Sequence, residues 1–541
     1  MGVESGILDV AIIGGGISGV YSAWRLVSSQ PGKRRVALFE GSQRVGGRLL
    51  SATPPGMPGT VCEIGGMRYV SSQTLVRSLI ENKLNLPRHE QIVDMPQNIA
   101  HMRGRHLRTS ETTDPSRLPY KLQWIEKSYL EAKNDPSSLM GWAITQILPE
   151  VANLNGTALH QFLQSAEVDG VPLYHHGFWN LLARAMSSEA YQLSKTLIGY
   201  DCLGNNANAV DLTTCYFDFT PGVKYYLLDG GYETVPWILE EEFRNAGGEV
   251  NYHSWLEAFD KVTLEDGSIG VSLHFTDGRP AVTARAVVLA MPQHSIRRLR
   301  AVGPVLESSK VQHLLGSVQP IALYKMFIGY HYPWWEKAGV TQGRSFTDLP
   351  VRQCYYWANN QTPMPGPNST NAMIMVYDDS TNVDFWGGLR MSPAKRVHFQ
   401  RKTSAAAAQV STKNPFEARL RQNWQGHEAP KLLVQETHRQ LMALHNVQYA
   451  PDPVEAAYAD WSDEPYGGAV HLWNRGYKSW ELVDEITQPV RDFPCYICGE
   501  AFSTNQTWAE GALQTAEIVL QKRFGLDAPA WVTQATAKAG A

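Results

Sequence analysis

The chain has 541 residues, more than one hydrophobic core usually holds, so two or three domains are expected. A net charge of −4 gives no bulk electrostatic case for nucleic acid or an anionic membrane, and six cysteines are too sparse for a disulfide framework. No apolar stretch is long enough to span a bilayer and no signal-like segment precedes the first predicted strand, which makes a cytoplasmic setting the expectation.

In chain order, the apolar run Leu8 to Ile13 predicts a buried strand. It breaks into Gly14-Gly15-Gly16-Ile17-Ser18-Gly19, a G-x-G-x-x-G, and Val20 to Val27 then predicts a helix with Val20, Trp24 and Val27 on one face. Val36 to Phe39 predicts a second strand, ending at Glu40. That order is the context in which the motif binds a dinucleotide. Gly14 allows the tight turn, Gly16 lets backbone approach a pyrophosphate, and Gly19 lets helix and strand pack closely. The helix N-terminus around Ile17 and Ser18 offers unpaired N–H groups to the phosphates. Glu40, 21 residues beyond Gly19, suits a ribose diol and would repel a 2′-phosphate.

Gly41 to Arg48 reads G-S-Q-R-V-G-G-R, with two arginines that can pair with a pyrophosphate and two glycines that allow close backbone approach. Here the chain resembles the flavin-containing amine oxidase superfamily, at Glu40, Arg44, Gly46, Gly47 and Arg48. The resemblance implies FAD, with Gly41 among its contacts. The E-x-G-G-M-R of Glu63 to Arg68 resembles the segment that, in amino-acid oxidases of this superfamily, lays Gly65, Gly66 and Met67 along the flavin. Its arginine, Arg68, is thereby a candidate to grip a substrate carboxylate with two parallel donors. The alternative is a structural arginine paired with a protein carboxylate.

Residues 73 to about 90 predict a helix and its exit, and 116 to 228 are mostly helical in pattern, with breaks near 134–136 and 203–206. The latter stretch resembles the helical insertion of L-amino-acid oxidases. Leu228 to Pro236 resembles the loop that restarts the flavin domain, followed by a helix at about 235–246, an extended stretch from Glu249 to Trp255, and strands through Val271 to Phe275. Ala286 to Ala290 suits a buried parallel strand. From about 307, Ala322 to Ile328, Gln353 to Trp357 and Ala372 to Tyr377 predict a mixed sheet. Lys325 sits in an apolar strand, where an ammonium is costly unless paired or hydrated. The resemblance implies that it holds a water near flavin N5; a lysine snorkelling from a strand edge is the alternative. Tyr377 stands where the resemblance implies a carboxylate-binding phenol, with Tyr355 and Tyr356 as competitors.

Residues 396–446 predict helix, including an alanine run at 405–408. Trp461 to Gly468 resembles the family's Trp-to-Tyr-to-Gly-Gly segment, and Gly467, Gly468 and Ala469 are small enough to leave room for large substrates. Cys495 and Cys498 form a C-x-x-C without a second ligand pair, so no metal is expected. In the C-terminal flavin motif Gly499 and Glu500 are implied to contact the ribitol–phosphate region. Trp508 and Ala509 start a helix running to about 523 whose N-terminus faces the flavin pyrimidine. The alanine-rich tail after about 527 is expected to fray.

The resemblance implies an α/β fold: a discontinuous FAD-binding Rossmann-like domain of glutathione-reductase type (1–72, 229–306, 482–525), a mixed-sheet substrate domain (73–115, 307–481) and a helical domain (116–228). It implies an FAD-dependent L-amino-acid oxidase; the small residues at 467–469 make broad activity favouring apolar and aromatic substrates the expectation, and a homo-oligomer, a dimer, is expected. Arg68 and Tyr377 would hold the carboxylate, while Trp461 and Trp508 flank the amine and present Cα–H for hydride transfer to flavin N5. With O₂ as second substrate the products are a 2-oxo acid, ammonia and H₂O₂. A monooxygenase giving amide and CO₂, a plain amine or polyamine oxidase, and a flavin-binding scaffold without turnover are the alternatives. The chain departs from the snake-type pattern in having no histidine between Leu212 and Gly230, and in carrying Thr507 where a glycine is expected.

Overall fold

A computed structural model describes residues 6–29, 32–133, 135–218, 222–302, 304–360, 369–390 and 415–532. The strand Leu8–Ile13 is almost entirely buried because both of its faces are covered. Val10 and Ile12 pack under one set of helices, while Leu8, Ala11 and Ile13 belong to the core on the other side. It pairs in parallel with Val36–Phe39 and with Val282–Leu289, so that Ile13, Phe39 and Leu289 end level with one another at the carboxyl edge of the sheet. Val282–Leu289 then divides its pairing. Its first half takes the antiparallel strand Ile269–Phe275, and its second half takes Cys495–Ile497 in parallel. The sheet thereby brings a strand from the end of the chain to within one strand of the first. The helices Ile17–Ser28, Thr234–Asn245 and Ala509–Phe524 cover one face and share one core with Trp24, Trp237 and Leu513.

A second sheet runs Glu455–Asp460, Leu323–Tyr330, Ala372–Asp379, Gln353–Asn359, Arg344–Thr347, Ile99–Met102, Arg105–Arg108. It is antiparallel except where Arg344–Thr347 runs parallel to Ile99–Met102, hence mixed. Leu323–Tyr330 is flanked on both sides and every one of its residues is buried, so Lys325 does not snorkel from an edge. Between 116 and 224 lie the helices Trp124–Lys133, Leu139–Ile147, Gly156–Ser165, Ser188–Ile198 and Ala209–Asp218, around a core of their own that includes Leu139, Ala143, Leu163, Leu182 and Leu193. A three-stranded sheet, Tyr69–Val70 with Tyr225–Leu228 with Arg88–Glu90, joins the end of this insertion to the stretch that carries Arg68.

Three expectations are corrected. The helix predicted from 73 to 90 is Thr74–Ser78, continued by a wider turn to Lys83. The chain then becomes the strand Arg88–Glu90, since Pro87 disfavours helix before it. The extended stretch predicted to Trp255 keeps its ladder only over Glu249–Asn251. It turns at His253, with φ of 53°, so that the Ser254 N–H reaches the Glu40 carbonyl. The helix expected over 396–446 is two, Pro415–Gly426 and Lys431–Leu444, separated at Pro430; the alanine run lies outside the described residues, as do residue 134 and the tail beyond 532. No helix among the described residues is long and apolar enough to cross a membrane.

A buried polar cluster ties together stretches of chain that are far apart in sequence. The Glu233 carboxylate accepts from Arg44 Nη1 (2.7 Å), the Ser51 N–H (2.9 Å) and Asn423 Nδ2 (2.8 Å). The Ser51 hydroxyl donates to Glu63 (2.7 Å), whose other oxygen takes the Tyr232 N–H (2.7 Å). Each group is satisfied from a different stretch of chain, so loss of one strands the others. Glu233→Ala, which leaves the Arg44 cation without its counter-charge, is expected to lower unfolding stability by about 3–5 kcal/mol in denaturant titration. A loss below about 1 kcal/mol would show the cluster to be dispensable.

Candidate active site

One cavity of 1940 Å³ runs from the glycine loop, past Lys325 and Arg68, into the helical insertion. Its first part is a mould for an extended anionic ligand. Gly14 has a φ of 103°, and a Cβ there would sit 2.5 Å from the Ala290 carbonyl. A Cβ on Gly16 would meet no protein atom, so this backbone faces open space where a pyrophosphate can lie. A Cβ on Gly19 would sit 1.9 Å from the Gly14 carbonyl, so its role is helix packing and it does not line the cavity. The helix Ile17–Ser28 has no side-chain cap and no acid in its first turn, which leaves its leading N–H groups for an anion.

The cavity wall includes the sequence-predicted Gly14, Gly16, Ile17, Ser18, Glu40, Gly41, Gly47, Arg48, Gly65, Gly66, Met67, Arg68, Gly499, Glu500, Trp508 and Ala509. Arg44 is a correction. Its guanidinium turns inward onto Glu233 and the carbonyls of Val45, Gly47 and Leu49, so it holds the loop and does not face a pyrophosphate. The Glu40 carboxylate accepts from the Gly15 and Ser42 N–H groups at 2.6 and 2.8 Å while lining the cavity. Gly65 lets its chain pass where a Cβ would come 2.2 Å from the Arg48 carbonyl. These shapes and donors fit FAD: backbone amides for phosphates, an acid for ribose, and a flat, glycine-lined floor for an aromatic ring system.

Glu500 lines the cavity with its carboxylate held by protein donors. One oxygen accepts the His471 and Thr507 N–H groups (2.9 and 2.7 Å). The other takes Arg48 Nη1 and His471 Nδ1, both at 2.9 Å. Burial would raise its carboxyl, but Arg48 and His471 beside it hold it down at about 2. Thr507 has a φ of 74°, in the left-handed region that favours glycine, and its bond to Glu500 helps keep it there. The smallness of Gly467 and Gly468 serves packing, another correction. A Cβ on them would meet the His294 ring at 2.4 Å and Pro320 at 2.6 Å, and of the trio only Ala469 lines the cavity.

At the substrate end Lys325, Arg68, Tyr377 and Trp461 come together with Trp508 along the same cavity. Lys325 Nζ donates to the carbonyl oxygens of Glu63 (3.2 Å) and Gly65, and lies 5.1 Å from the Tyr377 ring centre. Burial lowers its ammonium to about 7, with nearby Glu63 opposing and Arg68 adding to the drop. Trp461 is fixed by its indole N–H on the Ile64 carbonyl at 3.0 Å. Arg68 donates to Gln91 at 2.8 Å and stacks on the Tyr225 ring at 4.0 Å. No Asp or Glu forms an ion pair with it among the described residues, so the structural reading of Arg68 is not supported. Tyr355 faces the cavity, whereas its neighbour Tyr356 turns to Ser345 and His445 in the core, as strand alternation requires.

Sequence reading missed Tyr200, Tyr225, Arg344 and Trp255, all on the cavity wall. Trp255 could have been found from the pairing of Glu249–Asn251 with Val36–Phe39, which brings the residues after it to the carboxyl end of the sheet beside Glu40. Tyr200 and Tyr225 carried no local signal, because their position depends on how the insertion folds back. Arg344 is tied to the Ile198 carbonyl at 2.9 Å and to Asp94 at 3.4 Å. No histidine lines the cavity among the described residues, and all six cysteines are free thiols, Cys495 and Cys498 included.

A family model described as flavin containing amine oxidoreductase matches residues 17–403. Aplysianin-A of Aplysia kurodai is 25% identical over 96% of this chain and 90% of its own length. An L-amino-acid oxidase of Mus musculus is 21% identical over 68% of this chain and 57% of its own. Among solved structures, putrescine oxidase bound to putrescine superposes with a TM-score of 0.62 at 18% identity, covering 96% of this chain and 99% of that one.

The Glu500 cluster yields a pH dependence. A carboxyl depressed in the folded state stabilises it above the unfolded carboxyl pKa near 4.5, and this is lost as pH falls towards the folded value of about 2. Between pH 5 and pH 3 the wild type is expected to lose about 2 kcal/mol that Glu500→Gln does not lose, read from urea unfolding at the two pH values. Equal losses in both proteins would remove Glu500 from the acid sensitivity.

Proposed function

The chain belongs to the flavin-containing amine oxidoreductase family, and on that premise we propose that it is an FAD-dependent L-amino-acid oxidase. The observation that carries the reading is Arg68, a guanidinium on the cavity wall with ring and amide neighbours but no carboxylate partner among the described residues. A plain amine brings no anion to such a site; an α-carboxylate does, and meets a donor fork of matching shape.

The chain's own contribution is orientation. Arg68 and the Tyr377 phenol bind the carboxylate, and burial keeps that phenol protonated and donating. Trp461 and Trp508 wall the amine and exclude water from it. Lys325 Nζ, its ammonium held at about 7 by burial, is poised to hold or release a proton through a water near neutrality. Bound FAD would supply the acceptor for the hydride lost from Cα–H, with O₂ as the final oxidant and H₂O₂ as its product. The imine product hydrolyses to a 2-oxo acid and ammonia. Phe178, Leu197, Leu203 and Leu212 make the cavity beyond Tyr377 apolar, which favours apolar and aromatic side chains.

The test is anaerobic titration of the yellow protein with L-Phe, D-Phe and phenethylamine, following flavin bleaching, with products identified after air is admitted. Bleaching by L-Phe alone, then phenylpyruvate and peroxide, is expected. Bleaching by phenethylamine alone would make the protein an amine oxidase, and phenylacetamide in place of phenylpyruvate would make it a monooxygenase. Arg68→Ala should retain flavin and raise KM for L-Phe by the equivalent of roughly 2–5 kcal/mol. Unchanged KM would remove Arg68 from the site.

A further inference from the structure

The helical insertion contributes several residues to the cavity wall, and one of them is set by a sharp turn. The helix Ser188–Ile198 ends on Gly199, whose φ of 75° turns the chain sharply and sends Tyr200 into the cavity. The next two N–H groups, of Asp201 and Cys202, donate to the Asp379 carboxylate at 2.7 and 2.8 Å. Asp379 is nearly fully buried and lies two residues beyond Tyr377 on the same face of Ala372–Asp379. The Asp201 carboxylate is held in turn by Lys195 (3.0 Å) and Arg352 (3.3 Å). One strand therefore sets both phenols, Tyr377 directly and Tyr200 through Asp379.

The two rings meet edge to face, with centroids 5.5 Å apart and an interplanar angle of 83°. Neither phenol oxygen has a protein hydrogen-bond partner among the described residues, and both rings line the cavity around Arg68. A carboxylate has about four lone-pair sites. A guanidinium paired fork to fork fills two of them, and the Tyr377 phenol supplies only one more donor. Burial raises the Tyr200 phenol, so it too remains a donor at any working pH.

We propose that Tyr200, contributed by the helical insertion, is a substrate-binding residue whose hydroxyl donates to the α-carboxylate held by Arg68 and Tyr377, with Asp379 as the residue that positions it. This rests on the amino-acid oxidase reading. It makes the insertion part of the substrate site and couples carboxylate recognition to the seating of the 199–202 turn on Asp379.

The experiment compares the wild-type holoenzyme with Tyr200→Phe, using L-Phe turnover and binding of benzoate, followed by perturbation of the flavin spectrum. Loss of one hydrogen bond to a charged group is expected to raise KM for L-Phe and Kd for benzoate about 10- to 100-fold, with kcat changed by less than about threefold. KM and Kd within twofold of wild type would overturn the proposal while leaving the oxidase reading intact, provided the wild type is bleached by L-Phe. A wild type bleached by phenethylamine and not by L-Phe would overturn both. If Tyr200→Phe does not fold, Asp379→Asn reads the same coupling. It keeps the side-chain volume but weakens the two bonds to the 201 and 202 N–H groups, and is expected to raise benzoate Kd at least threefold; unchanged Kd overturns the proposal.

Discussion

A guanidinium on a cavity wall needs an anion, and none of the described residues gives Arg68 one. The other buried or half-buried arginines near the two sites are all matched: Arg44 with Glu233, Arg48 with Glu500, Arg25 with Glu517 and Arg352 with Asp201. Arg68 has a ring face and an amide oxygen in place of a carboxylate. A charge in a low-dielectric site without its partner is a cost to the folded protein. It is offset when the anion arrives with the ligand. The phenols of Tyr200 and Tyr377, also without protein partners, stand around the same spot and deepen the case for an anionic group there.

The cofactor end follows the opposite rule. Apart from Glu40, which lines the cavity, its acids are taken up by protein donors. Glu500 collects four donors, Glu63 takes the Ser51 hydroxyl and the Tyr232 amide, and Glu510 caps the N–H groups of Leu75 and Val76 at 3.0 and 2.8 Å. Glu510 sits in the first turn of Ala509–Phe524, yet its charge is spent on another helix. What remains for an anionic cofactor is the backbone: the N-terminus of Ile17–Ser28 and the glycine-lined floor from Gly14 to Gly66. The same chain thus presents neutral amides where phosphates belong and an unpaired cation where a carboxylate belongs.

How much of this was legible in the sequence depended on how local each signal was. The glycine loop, its flanking strands and Glu40 are consecutive, so their spacing carried the geometry. Burial of Lys325 followed from a strand with no polar neighbours. Arg44 was misread because two arginines in one short loop look alike in sequence. Only Glu233, 189 residues away, reveals which one is consumed internally. Gly467 and Gly468 were misread for the same reason, since the His294 and Pro320 contacts that demand them are remote. Tyr200 could not be seen at all. Its place depends on Asp379 capturing two backbone amides across 178 and 177 residues of chain. The two ends of the cofactor site were readable because short motifs build them; the substrate site was less so because Arg68, Tyr200, Lys325, Tyr377, Trp461 and Trp508 reach it from six separate stretches.

The most direct test of the account replaces the Arg68 guanidinium with an apolar side chain and asks whether fold or function suffers. Arg68→Leu would be measured for denaturant unfolding and for kcat/KM with L-Phe side by side. A cation kept for its substrate should be dispensable to the fold, so stability is predicted to stay within about 1 kcal/mol of wild type or to rise, while kcat/KM falls at least about 100-fold. Stability lost by more than about 3 kcal/mol with kcat/KM nearly unchanged would contradict it, and would make Arg68 a structural residue after all.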